Sequence, residues 1–262
     1  MAFWGDYHTH TVYSHGKGTI EENIAAAVDA GLKEIGITDH GFRHMAYNVR
    51  RMDWPYMERE VKNLRLKYPQ INIHLGLEAN FNSFDGYIDV LPSEVSNMDL
   101  IICGYHKVMK FDRARDFFRF WLPNIFYGIF RTTPKKQIRR NTEMYLRALE
   151  KYELDILSHP NTGAKIDITE VAKACKHFGT YFELNGKRIS MSHQELEAAA
   201  ATGVEFICNS DAHDPSRVGD FSRGQAAIEA VGIPYTQVAN WERLPEFRSK
   251  KLKEKLNVHG FL

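Results

Sequence analysis

The sequence predicts an α/β fold: a parallel, TIM-like barrel of seven strands wrapped by helices, in a single domain. Three observations predict it. Short apolar runs alternate with amphipathic helical patterns along nearly the whole chain, which is the grammar of parallel βα units. The strand runs are apolar throughout, as in sheets covered on both faces. The 262 residues hold no Gly/Ser linker and no low-complexity tract, so residues 1–262 read as one barrel rather than two domains.

The elements follow in order. Residues 5–16, GDYHTHTVYSHG, open with a strand that carries His8 and His10. Thr19-Ile-Glu-Glu22 is a capping box that starts the first helix, and Gly31 closes it. KEIGITDH is the second strand. MDWPYMEREVKNLRLKYP is the second helix, with Asp53 as its cap and Pro69 as its stop. INIHLGLEAN and MDLIICGYH are strands three and four. PKKQIRRNTEMYLRALEKY is a helix, LDILSHP strand five, TEVAKACKHFG a helix and TYFELN strand six. Ser192-His-Gln-Glu195 is a second capping box, before LEAAAATG. VEFICNSDAH is strand seven, Ser222-Arg-Gly-Gln225 opens another helix, and LPEFRSKKLKEKLN predicts a basic C-terminal helix. Residues 107–133, KVMKFDRARDFFRFWLPNIFYGIFRTT, break the pattern as an aromatic and basic insertion after strand four. Its expected roles are a lid or substrate wall, a helix packed on the barrel, a dimer contact or a membrane-surface anchor.

Composition narrows the function classes. Lys and Arg number 34 against 33 Asp and Glu, a net charge of +1, so no global field favours nucleic acid or membrane. Cys103, Cys175 and Cys208 are widely spaced and odd in number, which suits reduced core thiols rather than a disulfide framework. No signal-peptide pattern and no apolar stretch of spanning length occurs, so the expected location is the cytoplasm.

The chemistry sits at the strand ends. Strand one ends in His8 and His10, with His15 in its loop. Strand two ends in Asp39-His40, strand three in Glu78, strand four in His106 and strand five in His159. Strand six ends in Glu183 and Asn185, and strand seven in Asp211 and His213. A parallel barrel brings all these ends to one face. His8 and His10, two apart on a strand, point the same way. Converging imidazoles without a partner are costly, whereas neutral His and carboxylate bind divalent Zn, Mn or Fe well. Nine ligands, His8, His10, His15, His40, Glu78, His106, His159, Asp211 and His213, suit two or three ions. Glu78 is the best bridging carboxylate. Such a site generates hydroxide at neutral pH and clamps anionic oxygen, which favours phosphate esters. His44, His74, His177, His193 and His259 fall outside the strand ends and read as ordinary loop or core residues.

Taken together, HxH, ITDHG, the strand-three Glu, single His residues on strands four and five, and the terminal SDAH resemble the PHP (polymerase and histidinol phosphatase) family over nearly the whole chain. The resemblance implies a distorted (β/α)7 barrel and a metal-dependent phosphoesterase. It implies three divalent ions: one held by His8, His10, Glu78 and Asp211, one by Glu78, His106 and His159, and one by His15, His40 and His213. A metal-bridging hydroxide would attack phosphorus in line. Asp39, Glu78 and His213 are the candidate catalytic residues, with Asp39 orienting a ligand His or relaying a proton and Asp6 supporting the HxH pair. Lys187, Arg188 and Arg217 are candidates to hold substrate phosphate, and Lys17 is a similar case. The expected substrate is a small phosphomonoester such as histidinol phosphate, and a homo-oligomer stays open. The alternatives are phosphodiester or exonuclease-type activity, and a non-catalytic metal-stabilised binding protein. An amidohydrolase-like barrel fits less well, because it wants a strand-four Lys where CGYHK has His106, with Lys107 expected to point the other way.

Overall fold

A computed structural model describes residues 2–95, 97–107, 109–111, 113–130 and 132–251. Its seven strands are β1 (Gly5–Thr9), β2 (Glu34–Ile37), β3 (Asn72–Asn80), β4 (Leu100–Gly104), β5 (Ile156–Leu157), β6 (Tyr181–Asn185) and β7 (Phe206–Asn209). They form one sheet in the order β1 to β7, and every neighbouring pair is parallel. The sheet curls until its edges nearly meet. His10 N–H donates to Ala212 O at 2.8 Å, and Tyr7 N–H donates to Asn209 Oδ1 at 2.9 Å. The result is the distorted TIM-like (β/α)7 barrel.

The helices are α1 (Ile20–Asp29), α2 (Trp54–Lys67), α3 (Pro92–Val95), α4 (Ala114–Asp116), α5 (Leu122–Ile129), α6 (Lys135–Lys151), α7 (Ile168–Phe178), α8 (His193–Ala201) and α9 (Ser222–Val231). Among the described residues, none is long and apolar enough to cross a membrane. Both capping boxes form, at Thr19/Glu22 and Ser192/Glu195. Gly31 adopts φ +74 just beyond α1, a conformation that costs glycine little. Asp53 occupies the cap position of α2, but its carboxylate binds Arg50 at 2.6 Å instead of the helix N-terminus. Ser222 opens α9 as expected, and its hydroxyl donates to Asp220 at 2.6 Å. The C-terminal helix predicted over 244–257 starts only at 248: residues 244–247 are not helical, 248–251 are helical, and 252–257 lie outside the described residues. Within the 107–133 segment, residues 114–129 form one helical run. It passes through α4, a π-helical turn (Phe117–Trp121) and α5 before α6 begins.

Alternation along the strands divides the core into two layers. Leu100 and Ile102 of β4 join Tyr7, Ile156 and Ile207 in a small cluster, capped by Ala239 and Phe247. Ile101 and Cys103 belong to the larger cluster between sheet and helices. Apolar packing therefore fills part of the barrel, and the C-terminal strand ends are left for polar side chains.

Candidate metal centre

Glu78 stands at the centre of the C-terminal face. Its Oε1 lies 2.7 Å from His159 Nε2 and 3.3 Å from His8 Nε2. Its Oε2 lies 2.9 Å from His40 Nδ1, 3.3 Å from His106 Nε2 and 3.6 Å from His10 Nε2. Asp211 Oδ1 closes the other side, 3.3 Å from His213 Nδ1, 3.4 Å from His10 Nε2 and 3.7 Å from His8 Nε2. The His15 ring is 4.2 Å from that of His213 and 4.8 Å from that of His40. All nine predicted ligands thus come together.

The hydrogen bonding of this cluster is incomplete. His10 Nδ1, His15 Nδ1, His40 Nδ1, His106 Nδ1, His159 Nδ1 and Glu78 Oε2 are buried without a hydrogen-bond partner. His40 Nδ1 and Glu78 Oε2 are close, yet not aligned as a donor and acceptor. Folded proteins pair nearly all such atoms, because each orphan costs about 1–3 kcal/mol. Two of these orphans, His40 Nδ1 and Glu78 Oε2, face each other inside the cluster, where a divalent ion would satisfy both, and the imidazole and carboxylate donor set suits one. Three groups of ligand atoms lie within 4.8 Å of one another: His8/His10/Asp211, His40/Glu78/His106 and His10/His40/His213. The resemblance groups His40 with His15 and His213, and Glu78 with His106 and His159, and these sets stand close enough to one another to share ligands.

Electrostatics separates the imidazoles. Burial pushes His10 down to about 3 and His15 to about 4. Burial holds His40 well below the usual range, and a proton on the neighbouring His10 would push it lower still. These three are neutral, the form that binds metal. Burial also opposes the His8 charge, but Glu78, Glu183 and Asp211 outweigh it and raise the group.

An open cleft of about 400 Å³ sits over this cluster. Lys187 and Arg188 line it, with Tyr47, Thr162 and Lys107 at its walls. Lys187 Nζ is 3.4 Å from both ring nitrogens of His213. Lys107, expected to point away, therefore borders the cleft.

The PHP domain model matches residues 6–231. The chain belongs to the PHP domain family. A curated relative from Shewanella sediminis, named probable phosphatase, is 30% identical over 267 residues, covering 96% of each chain. Another of the same name, from Shewanella sp. strain MR-4, is 28% identical and covers 92% of this chain and 88% of its own. Among solved structures, a histidinol phosphate phosphatase from Lactococcus lactis, complexed with zinc, L-histidinol and phosphate, superposes with a TM-score of 0.63. Its identity is 15%, over 95% of this chain and 98% of its own. A chain of an archaeal ribonuclease P structure with mature tRNA shares the fold at a TM-score of 0.51 and 13% identity, over 96% of this chain and 92% of its own.

Several buried residues hold the PHP site in shape. Glu183 is fully buried. It accepts from Asn209 Nδ2 at 3.0 Å, from His159 N–H at 2.6 Å and from Asn185 Nδ2 at 2.9 Å, and its Oε1 is 2.8 Å from His8 Nδ1. A proton held on His8 Nδ1 leaves Nε2 free toward the site. In the sequence Glu183 is only a strand-end carboxylate, and nothing near it marks this role. Asp6, expected to support the HxH pair, accepts the backbone N–H of His8 at 3.5 Å together with Ser210 N–H at 3.1 Å and Gly219 N–H at 2.9 Å. Asn185 Oδ1 accepts the N–H groups of Lys187 and Arg188, both at 2.9 Å, and so folds that loop over the cleft. His159 (φ +29) and Asp211 (φ +54) adopt left-handed backbone, the kind of strain that collects at functional sites.

Three expected residues stand elsewhere. Asp39, proposed as catalytic, does not line the cleft. Its carboxylate is occupied by Thr11 N–H at 2.7 Å, Thr11 Oγ1 at 2.6 Å and Ser14 Oγ at 2.5 Å. It positions the loop that carries His15. Arg217 pairs with Asp220 at 2.7 Å and is absent from the cleft wall, and Lys17 pairs with Asp214 at 3.2 Å. Conversely, His44 was read as an ordinary residue, yet it lines the cleft and stacks on His40 at 4.8 Å. Its position four residues after His40 was the available signal.

Proposed function

We propose that this phosphoric ester hydrolase removes phosphate from a small phosphomonoester in a reaction that depends on divalent metal. The observation that carries the reading is one buried carboxylate, Glu78, with five imidazoles within 3.6 Å of it in an open cleft. His8, His10, Glu78, His106, His159 and Asp211 would hold two ions, and His15, His40 and His213 a third, of the Zn, Mn or Fe class. Bound metals supply a deprotonated water at neutral pH and neutralise charge on phosphoryl oxygens. Lys187 and Arg188 bind the phosphate from the opposite side, where Asn185 holds their backbone. His44 Nδ1 accepts Tyr47 N–H at 3.1 Å, which leaves its proton on Nε2 as a neutral donor at the cleft wall. Glu78 keeps the imidazoles gathered, and Glu183 sets the tautomer of His8.

The relatives named probable phosphatase support the reaction class. The zinc-bound histidinol phosphate phosphatase makes histidinol phosphate one compound to assay. Three buried free thiols suit a reducing compartment, the cytoplasm expected above. Phosphate release by metal-replete protein across a panel of phosphomonoesters tests the reading, with His106→Ala alongside. Release from one compound, lost in the variant, is the expected result. Full metal content with no release from any compound would replace phosphatase activity with metal-stabilised binding.

A further inference from the structure

The segment between β4 and α6 has its apolar face turned to water. Residues 114–129 form one helical run. Asp116, Phe120 and Asn124, four apart, make its buried face. Two of the three are polar and bond inward. Asp116 accepts Phe84 N–H at 3.1 Å, and Asn124 exchanges amide hydrogen bonds with Asn141 at 2.8 and 3.0 Å. Phe118, Leu122, Phe126, Ile129 and Phe130 are between 42% and 71% exposed. Phe118 lies about 200° around the helix from Asp116, so this stripe is the outward face. A soluble helix normally buries its apolar stripe, and a contiguous exposed patch of this kind marks an interaction surface.

Charge is segregated to the same place. Residues 107–140 carry ten Lys and Arg against Asp112 and Asp116, a net of +8, which leaves the rest of the chain at −7. Arg113 and Arg115 lean on Asp85, and Arg139 on Glu170. Arg119, Lys135 and Lys136 are exposed. Pairing this face with a second copy of itself would set two such positive segments against each other, whereas an anionic surface turns the same charge into attraction.

We propose that the 114–129 helix docks the protein on an anionic lipid surface, with the stripe in the interfacial layer and the neighbouring cations against the headgroups. The Trp121 indole N–H donates to Lys107 O, so the same helix borders the cleft wall. The proposal does not depend on the phosphatase reading.

Co-sedimentation with vesicles tests it, using phosphatidylcholine alone and with about a third phosphatidylglycerol. The full chain should bind the anionic vesicles, and binding should fall about tenfold when salt rises from about 0.1 M to about 0.5 M. The triple variant Phe118→Ser/Phe126→Ser/Ile129→Ser should lose about tenfold or more. Its circular dichroism and melting temperature should stay those of the parent, because the altered side chains are exposed. No sedimentation with either vesicle overturns the proposal, as does binding that the triple variant leaves intact. A concentration-dependent dimer that the triple variant abolishes, without vesicle binding, makes the stripe a self-interface and overturns it too.

Discussion

Glu183→Gln keeps shape and volume while converting one carboxylate oxygen into a donor. The four groups around that carboxylate bring N–H donors from His159, Asn185 and Asn209, and a fourth proton from His8. If the new amide NH2 takes the Oε2 position, it faces the His159 and Asn185 donors. If it takes the Oε1 position, it faces Asn209, and His8 must move its proton to Nε2, away from metal duty. Either orientation sets two donors against a donor. At about 1–3 kcal/mol for each lost buried hydrogen bond, two losses destabilise the apo protein by about 2–6 kcal/mol. Disturbing the residue behind a ligand His lowers metal affinity about 10- to 100-fold, equivalent to about 1.4–2.8 kcal/mol. Urea unfolding in chelator reads the first effect, and competition against a chromophoric chelator reads the second. Parental metal affinity in a folded Glu183→Gln protein would refute the claim that Glu183 orients His8.

Further outcomes follow from the same geometry. Lys187→Ala should raise KM for the phosphomonoester about tenfold with little change in melting temperature, whereas Arg217→Ala, a residue paired with Asp220, should leave both within about twofold; steady-state kinetics on the two variants checks the contrast. Gly104→Ala would place a Cβ against Ser158 Oγ and 2.5 Å from His159 Cε1, so His159 must shift, and the variant should lose metal-dependent activity while retaining its far-ultraviolet spectrum. Burial pushes Asp155 up to about 6, against hydrogen bonds from Ser249 and from Ile101 and Arg248 N–H. The folded state therefore holds a proton that the unfolded chain has released between about pH 4 and pH 6, so this stabilisation is complete below about pH 4 and is lost as pH rises through 6. Asp155→Asn should remove that slope, worth up to about 3 kcal/mol, and unfolding curves of parent and variant that stay parallel across the window would contradict it.

Much of the site was legible because its residues occupy strand ends, and a parallel barrel gathers strand ends whatever the loops do. His8 and His10 follow from period-two alternation, and Glu78 from its place on the third of seven strands. The residues that were misjudged depend on partners far away in sequence. Glu183 meets His8 across 175 positions, and no local pattern records that contact. Asp39 follows Thr38 at a strand end as a catalytic acid would, but the 11–14 loop folds back and consumes both of its oxygens. Arg217 is basic and near the last strand, yet Asp220, three residues on, reaches it first. Asp53 lost its capping role to Arg50 in the same way.

Taken alone, the sequence determined the class of fold, the seven strands, the two capping boxes and the candidate ligands. Each of these depends on periodicity or chemistry within a few residues. Tertiary structure decided which carboxylate touches which imidazole, how the ligand groups share Glu78, and which cations reach the cleft. It also decided the polarity of the 114–129 helix. Its sequence is aromatic on more than one side, and only packing against Asn141 and Phe84 sends Asp116 and Asn124 inward and the phenylalanines out. Orientation of that kind is set by what the rest of the chain offers as a partner, which a helical pattern by itself does not specify.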